Sequence, residues 1–316
     1  MRGPIVVVGS INLDMVFNVD RLPGPGETVL GAEFQMHPGG KGANQAGAVA
    51  RLGYPVFMVG RVGSDVFGEQ LRGFLKAAGA DTSCVRTSSG SSGTAGIHVT
   101  PDGQNSIVVA PGANLLVTPA DIDANLELIR SAALVLTQLE IPMETVQRLG
   151  QICEAEQVPL VLDPAPAQFL DRRLLRRLEW ITPNEVEAGQ LHDMDHGDTA
   201  RSPQEVAESL LASGARNVLL KLGEKGSCLA TASGMRATVP AFRVEPVDTT
   251  GAGDAFNGAF AVALARGADA VEAAQFASAA AAISVTRCGA LPSIPTQLEV
   301  AAFLSERGRE QREFAL

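Results

Sequence analysis

The chain has 316 residues, of which 46% are hydrophobic and 19% are charged. That composition suits one large or two medium hydrophobic cores and is too poor in charge for a disordered protein. The 25 basic and 35 acidic residues give a net charge of -10, which has the wrong sign for binding nucleic acid through its phosphates. We therefore expect a globular protein whose partners are small molecules, not nucleic acid.

The cysteines and the N-terminal residues indicate the cellular compartment in which the protein is expected. The four cysteines lie far apart and show no CxxC or zinc-type spacing, so neither a disulfide framework nor a structural metal is indicated. The first apolar run, Ile5–Val8, is too short for a signal peptide or a membrane span. The sequence predicts a cytoplasmic protein with no membrane partner.

Short apolar runs alternate with segments of helical period along the chain. This alternation predicts an α/β fold with a doubly wound, mainly parallel sheet. The helical segments 42–52, 65–78 and 254–266 each end at a glycine, which suits a left-handed helix C-cap. The apolar runs are Ile5–Val8, Val56–Val59, Ala133–Leu139, Val158–Leu162 and Val218–Leu222.

Two stretches break the alternation and predict a small second sheet. Residues 13–37 are rich in proline and glycine and show no helical period. In the second stretch, 94–110, two strands flank a Pro-Asp-Gly turn at 101–103. We expect both stretches to form a β lid that keeps water from a bound ligand. The expected α/β core is the remainder, 1–12, 38–93 and 111–316.

The segment Asp248–Gly258 places small residues where a long helix begins. Free N–H groups at Gly251, Ala252 and Gly253 would form an anion site, because glycines let an oxyanion approach them closely. Asp254 lies at its mouth, where we expect the same N–H groups to favour the ionised carboxylate. From spacing alone, Asp254 is more simply a helix cap than a catalytic base.

Other nucleotide-binding motifs are absent or incomplete in the sequence. Gly251 and Gly253 begin a GxGxxG pattern, but Phe256 replaces its third glycine, which argues against a dinucleotide-dependent oxidoreductase. There is no GxxxxGK[ST] sequence and no protein-kinase catalytic loop. Those two routes to binding ATP are therefore excluded.

Two blocks, Gly39–Ala46 (GGKGANQA) and Asp248–Gly258, resemble the two signatures of the PfkB (ribokinase) family of carbohydrate kinases. The resemblance spans the chain and implies a ribokinase-like three-layer α/β/α fold with a small β-sheet lid. It also implies an ATP-dependent carbohydrate kinase. Further matches are Gly9–Asp14, Gln138–Glu140, Asp163–Ala167, Thr182–Glu185 and Arg287–Ser293.

The resemblance implies a sugar site in which Asp14 accepts hydrogen bonds from ring hydroxyls, a role suited to a carboxylate. Taken singly, Asp14 would be a loop cap and Lys41 a solvated helix residue, but the continuous GGKGANQA block outweighs those interpretations. The implied sugar-binding residues are Asn12, Leu13, Asp14, Gly40, Lys41, Gly42, Ala43, Asn44, Glu140 and Asp254.

The resemblance also implies sites for the nucleotide and for two metal ions. The implied ATP-binding residues are Asn184, Lys221, Leu222, Gly223, Glu224, Lys225, Gly226, Gly253, Asp254 and Ser278. Magnesium would be organised largely through water by Asn184 and Glu187, in the spacing NxxE. A potassium ion would be held, partly by backbone carbonyls, at Asp248, Thr250, Ser284, Arg287, Gly289 and Ser293.

Three places depart from the family pattern or stay outside it. Asp163 stands where the motif has an asparagine, and Lys221 stands where a threonine is more usual, so its ammonium could reach a phosphate. The segment Leu191–Asp198 carries two histidines and three aspartates but follows no helical or strand template. We interpret it as a solvated polar loop rather than a metal site.

The resemblance favours transfer of the γ-phosphate of MgATP to the 5-hydroxyl of D-ribose. Asp254 would take the hydroxyl proton, and the 251–253 amides would stabilise the developing charge. Pairing of lid strands between subunits would give a homodimer. The sequence leaves open a kinase of 2-deoxyribose, fructose or adenosine, and a non-catalytic sugar sensor on the same fold.

Overall fold

The computed structural model describes residues 3–102, 104–196 and 202–313, which form two sheets flanked by helices. The larger sheet contains β1 (Ile5–Val8), β4 (Val56–Gly63), β5 (Val85–Ser88), β8 (Leu134–Thr137), β9 (Leu160–Leu162), β10 (Trp180–Ile181), β11 (Asn217–Lys221), β12 (Ser227–Thr231) and β13 (Arg236–Val239). The smaller sheet contains β2 (Asn12–Val19), β3 (Gly31–Gly39), β6 (Gly93–Val99) and β7 (Asn105–Ala110).

The helices of the described residues connect and cover these strands. They are α1 (Lys41–Arg51), α2 (Val66–Ala78), α3 (Pro119–Asp123), α4 (Leu126–Ser131), α5 (Met143–Ala155), α6 (Arg172–Leu175), α7 (Glu185–His196), α8 (Pro203–Ser213), α9 (Ala252–Arg266), α10 (Ala270–Ser284) and α11 (Gln297–Glu313). None of these helices is long and apolar enough to cross a membrane.

The larger sheet has the order β13-β12-β11-β10-β9-β8-β1-β4-β5, and its pairs are parallel except for β11 with β12 and β12 with β13. Alternate residues of β1 enter different hydrophobic cores, Ile5 and Val7 on one face and Val6 and Val8 on the other. Because both faces of the sheet are covered, β1 is fully buried and wholly apolar. The expected doubly wound three-layer fold is confirmed.

The order of the strands reverses beside β1, and this determines where ligands can bind. The chain goes from β1 to its neighbour β4 and later returns to β8 on the opposite side of β1. The loops that follow β1 and β8 therefore diverge at the carboxyl edge of the sheet. Open α/β sheets bind their ligands in the crevice at this kind of switch point.

The smaller sheet projects from the same edge, in the order β3-β2-β6-β7. Strand β2 begins four residues after β1, and β3 ends at Gly39, two residues before α1 begins. A Cβ at Gly39 would lie 2.0 Å from Asp14 Oδ2, so glycine is needed there to admit that carboxylate. The predicted second sheet is confirmed, and its inner end adjoins the crevice.

One expectation about secondary structure was wrong. Residues 191–196 belong to α7, not to a polar loop, while Gly197 and Asp198 lie outside the described residues. Ala188 and Leu191, three positions apart, are buried in the core, and this contact holds a helix that is polar elsewhere. Long-range packing thus outweighs the weak local pattern.

Close contact between α1 and α9 positions the residues of the crevice. A Cβ at Gly258 would lie 2.5 Å from Ala48 Cβ and 3.1 Å from the Gln45 carbonyl oxygen. We predict that Gly258→Ala lowers the free energy of unfolding in urea, because overpacking costs about 1–3 kcal/mol. That loss should exceed the roughly 0.5–1 kcal/mol that alanine contributes over glycine in a helix.

Gly73→Ala in α2 is the matched control, because no atom lies within 4 Å of the added Cβ. This variant should be at least as stable as the wild type. Equal stability of Gly258→Ala and Gly73→Ala would contradict the packing proposed between α1 and α9.

Candidate active site

The crevice at the switch point is held together by Glu140, which follows β8. Its Oε2 accepts a hydrogen bond from the Ser10 hydroxyl, which follows β1, and another at 3.1 Å from the Lys41 N–H at the start of α1. Gly40, which precedes this helix, has φ 86°, and a Cβ there would lie 2.7 Å from the Asn12 N atom. Only glycine therefore allows α1 to begin this close to β2.

Three carboxylates converge in the crevice, and two of them add to the cost of charging the third, Asp14. Burial raises the pKa of Asp14 to about 7, and the charges of Glu140 and Asp254 add to the effect. Burial alone would lower the pKa of Lys41, but the surrounding carboxylates, Asp254 foremost, raise it above its usual range. A cationic Lys41 therefore offsets part of this negative charge.

Asp254, the third residue of α9, is buried and faces α1. Its Oδ2 accepts a hydrogen bond from Asn44 Nδ2 at 2.9 Å, and its Oδ1 accepts one from Gln45 Nε2 at 3.0 Å. Gly251 occupies the N-cap position of α9, which has no side-chain cap. The simpler interpretation of Asp254 as a helix cap is therefore wrong.

The expectation that the helix amides favour the ionised form of Asp254 was also wrong. Burial raises its pKa to about 6, although the charge of Lys41 and the hydrogen bonds from Asn44 and Gln45 act in the opposite direction. Loss of water around the carboxylate outweighs the stabilisation from its donors. The group remains mostly ionised at neutral pH, with a pKa nearer to the working range of a general base.

Asn44 has unused hydrogen-bonding capacity beside Asp254. Its side-chain Oδ1 is buried and has no hydrogen-bond partner among the described residues. A buried amide oxygen of this kind is costly unless a ligand supplies a donor. A hydroxyl group bound in the crevice would supply one.

Gln45 and Asp163 take part in the site although neither was among the predicted site residues. Gln45 Nε2 donates to Asp254 Oδ1 and also, at 3.0 Å, to Asp163 Oδ2. Its Oε1 accepts from Gln138 Nε2 at 2.7 Å, which fixes the orientation of the amide. Gln45 lies within the GGKGANQA block, so the motif contained the signal, but its partners are more than 90 residues away.

Asn114 is a third residue that the sequence analysis did not assign to the site. Its Nδ2 donates to Asn12 Oδ1 at 2.7 Å, and its Oδ1 accepts from the Ile11 N–H at 2.9 Å. The side chain thereby fixes the segment that leads from β1 into β2. It lies in a short 3₁₀ turn, Gly112–Leu116, with no motif to mark it.

A cavity of about 890 Å³ lies on the other side of the 251–253 turn. Apolar residues, among them Phe242, Val244 and Ala282, form a large part of its wall. Leu222 is absent from that wall and packs against the hydrophobic core instead. The predicted ATP-binding residues that line the cavity are Lys221, Gly223, Glu224, Lys225, Gly226, Gly253 and Ser278.

Asn184 and Glu187 form the start of α7. The Asn184 N–H donates to Glu187 Oε2 and the Glu187 N–H donates to Asn184 Oδ1, both at 2.8 Å. This reciprocal pair caps the helix and uses one of the two carboxylate oxygens of Glu187. The described residues contain no group of three or more His, Cys, Asp or Glu side chains that could hold a metal directly. The pair therefore fits magnesium only where water completes the coordination.

The residues predicted to bind potassium come together behind the 251–253 turn. Asp248 accepts hydrogen bonds from the Thr250 N–H at 2.9 Å and the Gly289 N–H at 2.8 Å. Burial would raise the pKa of Asp248, but these bonds bring it below its usual value. The hydroxyls of Ser284 and Ser293 lie 2.7 Å apart.

Arg287 joins this group through its backbone only. Its guanidinium points to Glu299, with Nη2 2.5 Å from Oε1, which leaves the backbone carbonyl as the group that would bind a cation. Gly251 connects the group to the anion site, because its φ is 73° and a Cβ there would lie 2.8 Å from Ala290 Cβ. The turn therefore rests directly on the 287–293 segment.

The fold and the site together define a class of protein. A buried aspartate at the start of a helix separates a polar crevice from a large cavity, as in enzymes that transfer a phosphoryl group between a nucleotide and a small hydroxylated acceptor. The family model "pfkB family carbohydrate kinase" matches residues 3–297, and the chain belongs to this family.

Individual relatives agree with the family assignment. The chain is 44% identical to the ribokinase of Bacillus subtilis over 302 residues, which is 95% of this chain and 99% of the relative. It is 40% identical to the ribokinase of Haemophilus influenzae, covering 96% and 99% of the two chains. A solved structure of Arabidopsis thaliana ribokinase complexed with ribose and ATP is 36% identical, with a TM-score of 0.89 and coverage of 96% and 99%.

Proposed function

We propose that the chain is a ribokinase, which transfers the γ-phosphate of ATP to the 5-hydroxyl of D-ribose and gives D-ribose 5-phosphate and ADP. The observation that carries this proposal is that Asp254 directly follows Gly253, which lines the large cavity, and is hydrogen-bonded to Asn44 and Gln45 at the polar crevice. The two ribokinases named above match nearly the whole chain at 44% and 40% identity, against 37% for the deoxyribokinase of Salmonella typhi, which supports ribose as the acceptor.

We assign the crevice to the sugar. Asp14 and Glu140 offer carboxylate oxygens, and Asn44 Oδ1 offers an acceptor that lacks a partner among the described residues. Such a site favours an acceptor with several hydroxyls, because an analogue that lacks one leaves a buried polar group unpaired. This reasoning favours ribose over 2-deoxyribose.

We assign the cavity to ATP, with its phosphates directed to the start of α9. The 5-hydroxyl attacks the γ-phosphorus, its proton passes to Asp254 Oδ, and the bond from the γ-phosphorus to the bridging oxygen of ADP breaks. The N–H groups of Gly251 and Gly253 are assigned to the oxygens on which negative charge develops. The expected third donor was wrong, because the Ala252 N–H donates to the Thr249 carbonyl oxygen at 3.2 Å. Because the hydroxyl proton can leave late in such a reaction, the position of Asp254 matters more than its basicity.

We assign magnesium to Asn184 and Glu187, through water, since the second carboxylate oxygen of Glu187, which is not part of the reciprocal pair, suits an outer-sphere contact. The ion would neutralise charge on the nucleotide phosphates. We assign potassium to the site formed by Asp248, Thr250, Ser284, Arg287, Gly289 and Ser293, partly through their backbone carbonyls. A cation there would stiffen the 251–253 turn and orient its N–H groups.

We assign residues 13–37 and 94–110 to a lid that also contacts a second copy of the chain. Phe17 and Phe34 on this sheet are exposed, with ring centroids 4.9 Å apart, and Val108 on the edge strand β7 is 68% exposed. Apolar side chains on an exposed edge strand favour pairing with another chain. The four free cysteines suit a reducing compartment, and we place the protein in the cytoplasm.

Replacing the proposed base tests the assignment of Asp254. We predict that Asp254→Asn lowers kcat for ribose-dependent ADP formation by about 10²–10⁴-fold, because the asparagine cannot accept the proton. In the wild type, kcat/KM should fall as the pH drops through about 6, since protonation of Asp254 removes the base.

Asp123→Asn, at an exposed position on α3, is the matched control and should keep wild-type rates. An Asp254→Asn variant within tenfold of the wild type would refute the assigned base. A rate that does not depend on ribose would refute the assigned substrate.

Replacing potassium by sodium tests the cation site. At equal ionic strength we predict that kcat is several-fold higher in KCl than in NaCl, because the larger ion matches a site of carbonyl and hydroxyl oxygens. Asp248→Asn should reduce this difference. Equal rates in the two salts would contradict the proposal.

A double substitution on the lid tests the proposed homodimer. We predict that Phe34→Asp with Val108→Asp converts a dimer into a monomer in sedimentation velocity, because buried carboxylates would face an apolar contact. Phe169→Asp, at an exposed position outside the lid, is the control and should leave the dimer intact. A monomeric wild type would contradict the assignment.

A further inference from the structure

A buried ion pair lies beside the cavity that we assign to ATP, and one of its members, Lys221, lines that cavity. Lys221, the last residue of β11, places its Nζ 2.9 Å from Oδ1 of Asp163, which follows β9. The two side chains are 12% and 3% exposed. The pair therefore joins the carboxyl ends of two strands of the larger sheet.

Stability gives no reason for this pair. Removing two charges from water costs several kcal/mol per ion, and replacing a buried pair by uncharged side chains is often neutral or stabilising. An uncharged pair would fit the same space at less cost. A charged pair at this place therefore indicates a need for the ammonium group itself.

The ammonium lies at the anion site. A Cβ at Gly253 would be 3.6 Å from Lys221 Nζ, so the charge stands beside the N–H groups that begin α9. Lys221 also lines the cavity that we assign to ATP. One ammonium carries three N–H donors, and Asp163 occupies one of them, which leaves donors for an anion.

Asp163 connects this charge to the proposed base. Its Oδ1 holds Lys221, while its Oδ2 accepts from the same Gln45 Nε2 that donates to Asp254. The side-chain amide of Gln45 thus sets the distance between Asp163, which orients the ammonium, and Asp254, which takes the proton. Both ends of the transferred group would be positioned by one hydrogen-bonded chain.

We propose that Lys221 binds the γ-phosphate of ATP and that Asp163 is the positioning residue that holds the ammonium in place for it. This inference rests on the assignment of the cavity to ATP. Because Lys221 is oriented before the nucleotide arrives, its charge meets the oxygens of the transferred group without reorganisation. The ADP that remains after transfer lacks this contact.

Nucleotide affinity tests the proposal without using the sugar reaction. Titration calorimetry would measure the binding of the magnesium complexes of ADP and of AMP-PNP, a non-hydrolysable ATP analogue. In Lys221→Met we predict that the ratio of AMP-PNP to ADP affinity falls roughly tenfold to a hundredfold, the loss of one charge-assisted hydrogen bond. Lys76→Met, on the exposed face of α2, is the control and should leave the ratio unchanged.

A double-mutant cycle tests the role of Asp163. Asp163→Asn alone should lower the ratio, whereas adding it to Lys221→Met should change the ratio no further, because Asp163 acts only through the ammonium. The double variant also replaces the pair by uncharged side chains, so it keeps the test valid if a single variant does not fold.

An unchanged ratio in Lys221→Met, or in the double variant, would overturn the proposal. Equal effects of Asp163→Asn with and without Lys221 would overturn the positioning role. If Lys221→Met shifts the ratio but the wild-type chain does not phosphorylate ribose, the role of Lys221 is supported and only the assigned sugar is refuted.

Discussion

The site depends on a shared electrostatic constraint, which is that several carboxylates are buried together at the carboxyl edge of one sheet. Burial and the charges of Glu140 and Asp254 raise the pKa of Asp14, and burial with the charge of Asp163 brings the pKa of Asp254 to about 6. Lys41 and the amides of Asn44 and Gln45 offset that cost. Asp254 is thus buried from solvent and held in one geometry by its hydrogen-bond donors, and its carboxylate can still accept a proton.

The fold explains why these groups meet. Parallel strands end at one edge of the sheet, and the reversal beside β1 opens a crevice between the loops after β1 and β8. A hydrogen bond between Ser10 and Glu140 joins these two loops. The smaller sheet begins next to the crevice, where Asn12 of β2 pairs with Gly39 of β3. The nucleotide cavity lies farther along the same edge, beyond β11, so Asp254 at the start of α9 separates the two.

Much of this arrangement was predictable from the sequence, because apolar runs, glycine caps and two long motifs are local signals. The doubly wound sheet, the second sheet and the family came from such signals. The raised pKa of Asp254 could not be predicted from local signals, since it depends on burial by distant segments. The contacts of Gln45, Asn114 and Asp163 could not be predicted either, because their partners lie about 60 to 210 positions away. The helical conformation of 191–196 was missed because Leu191 is held by the core rather than by local pattern.

The central claim is that Asp254 faces the 5-hydroxyl of ribose and that phosphate is transferred there. The most direct test is the proton-coupled ³¹P NMR spectrum of the product formed from ribose and MgATP. Phosphate on the exocyclic C5 couples to two protons, and the account predicts the resulting three-line signal. A two-line signal, which indicates phosphate on a ring carbon with one proton, or release of inorganic phosphate alone, would contradict it.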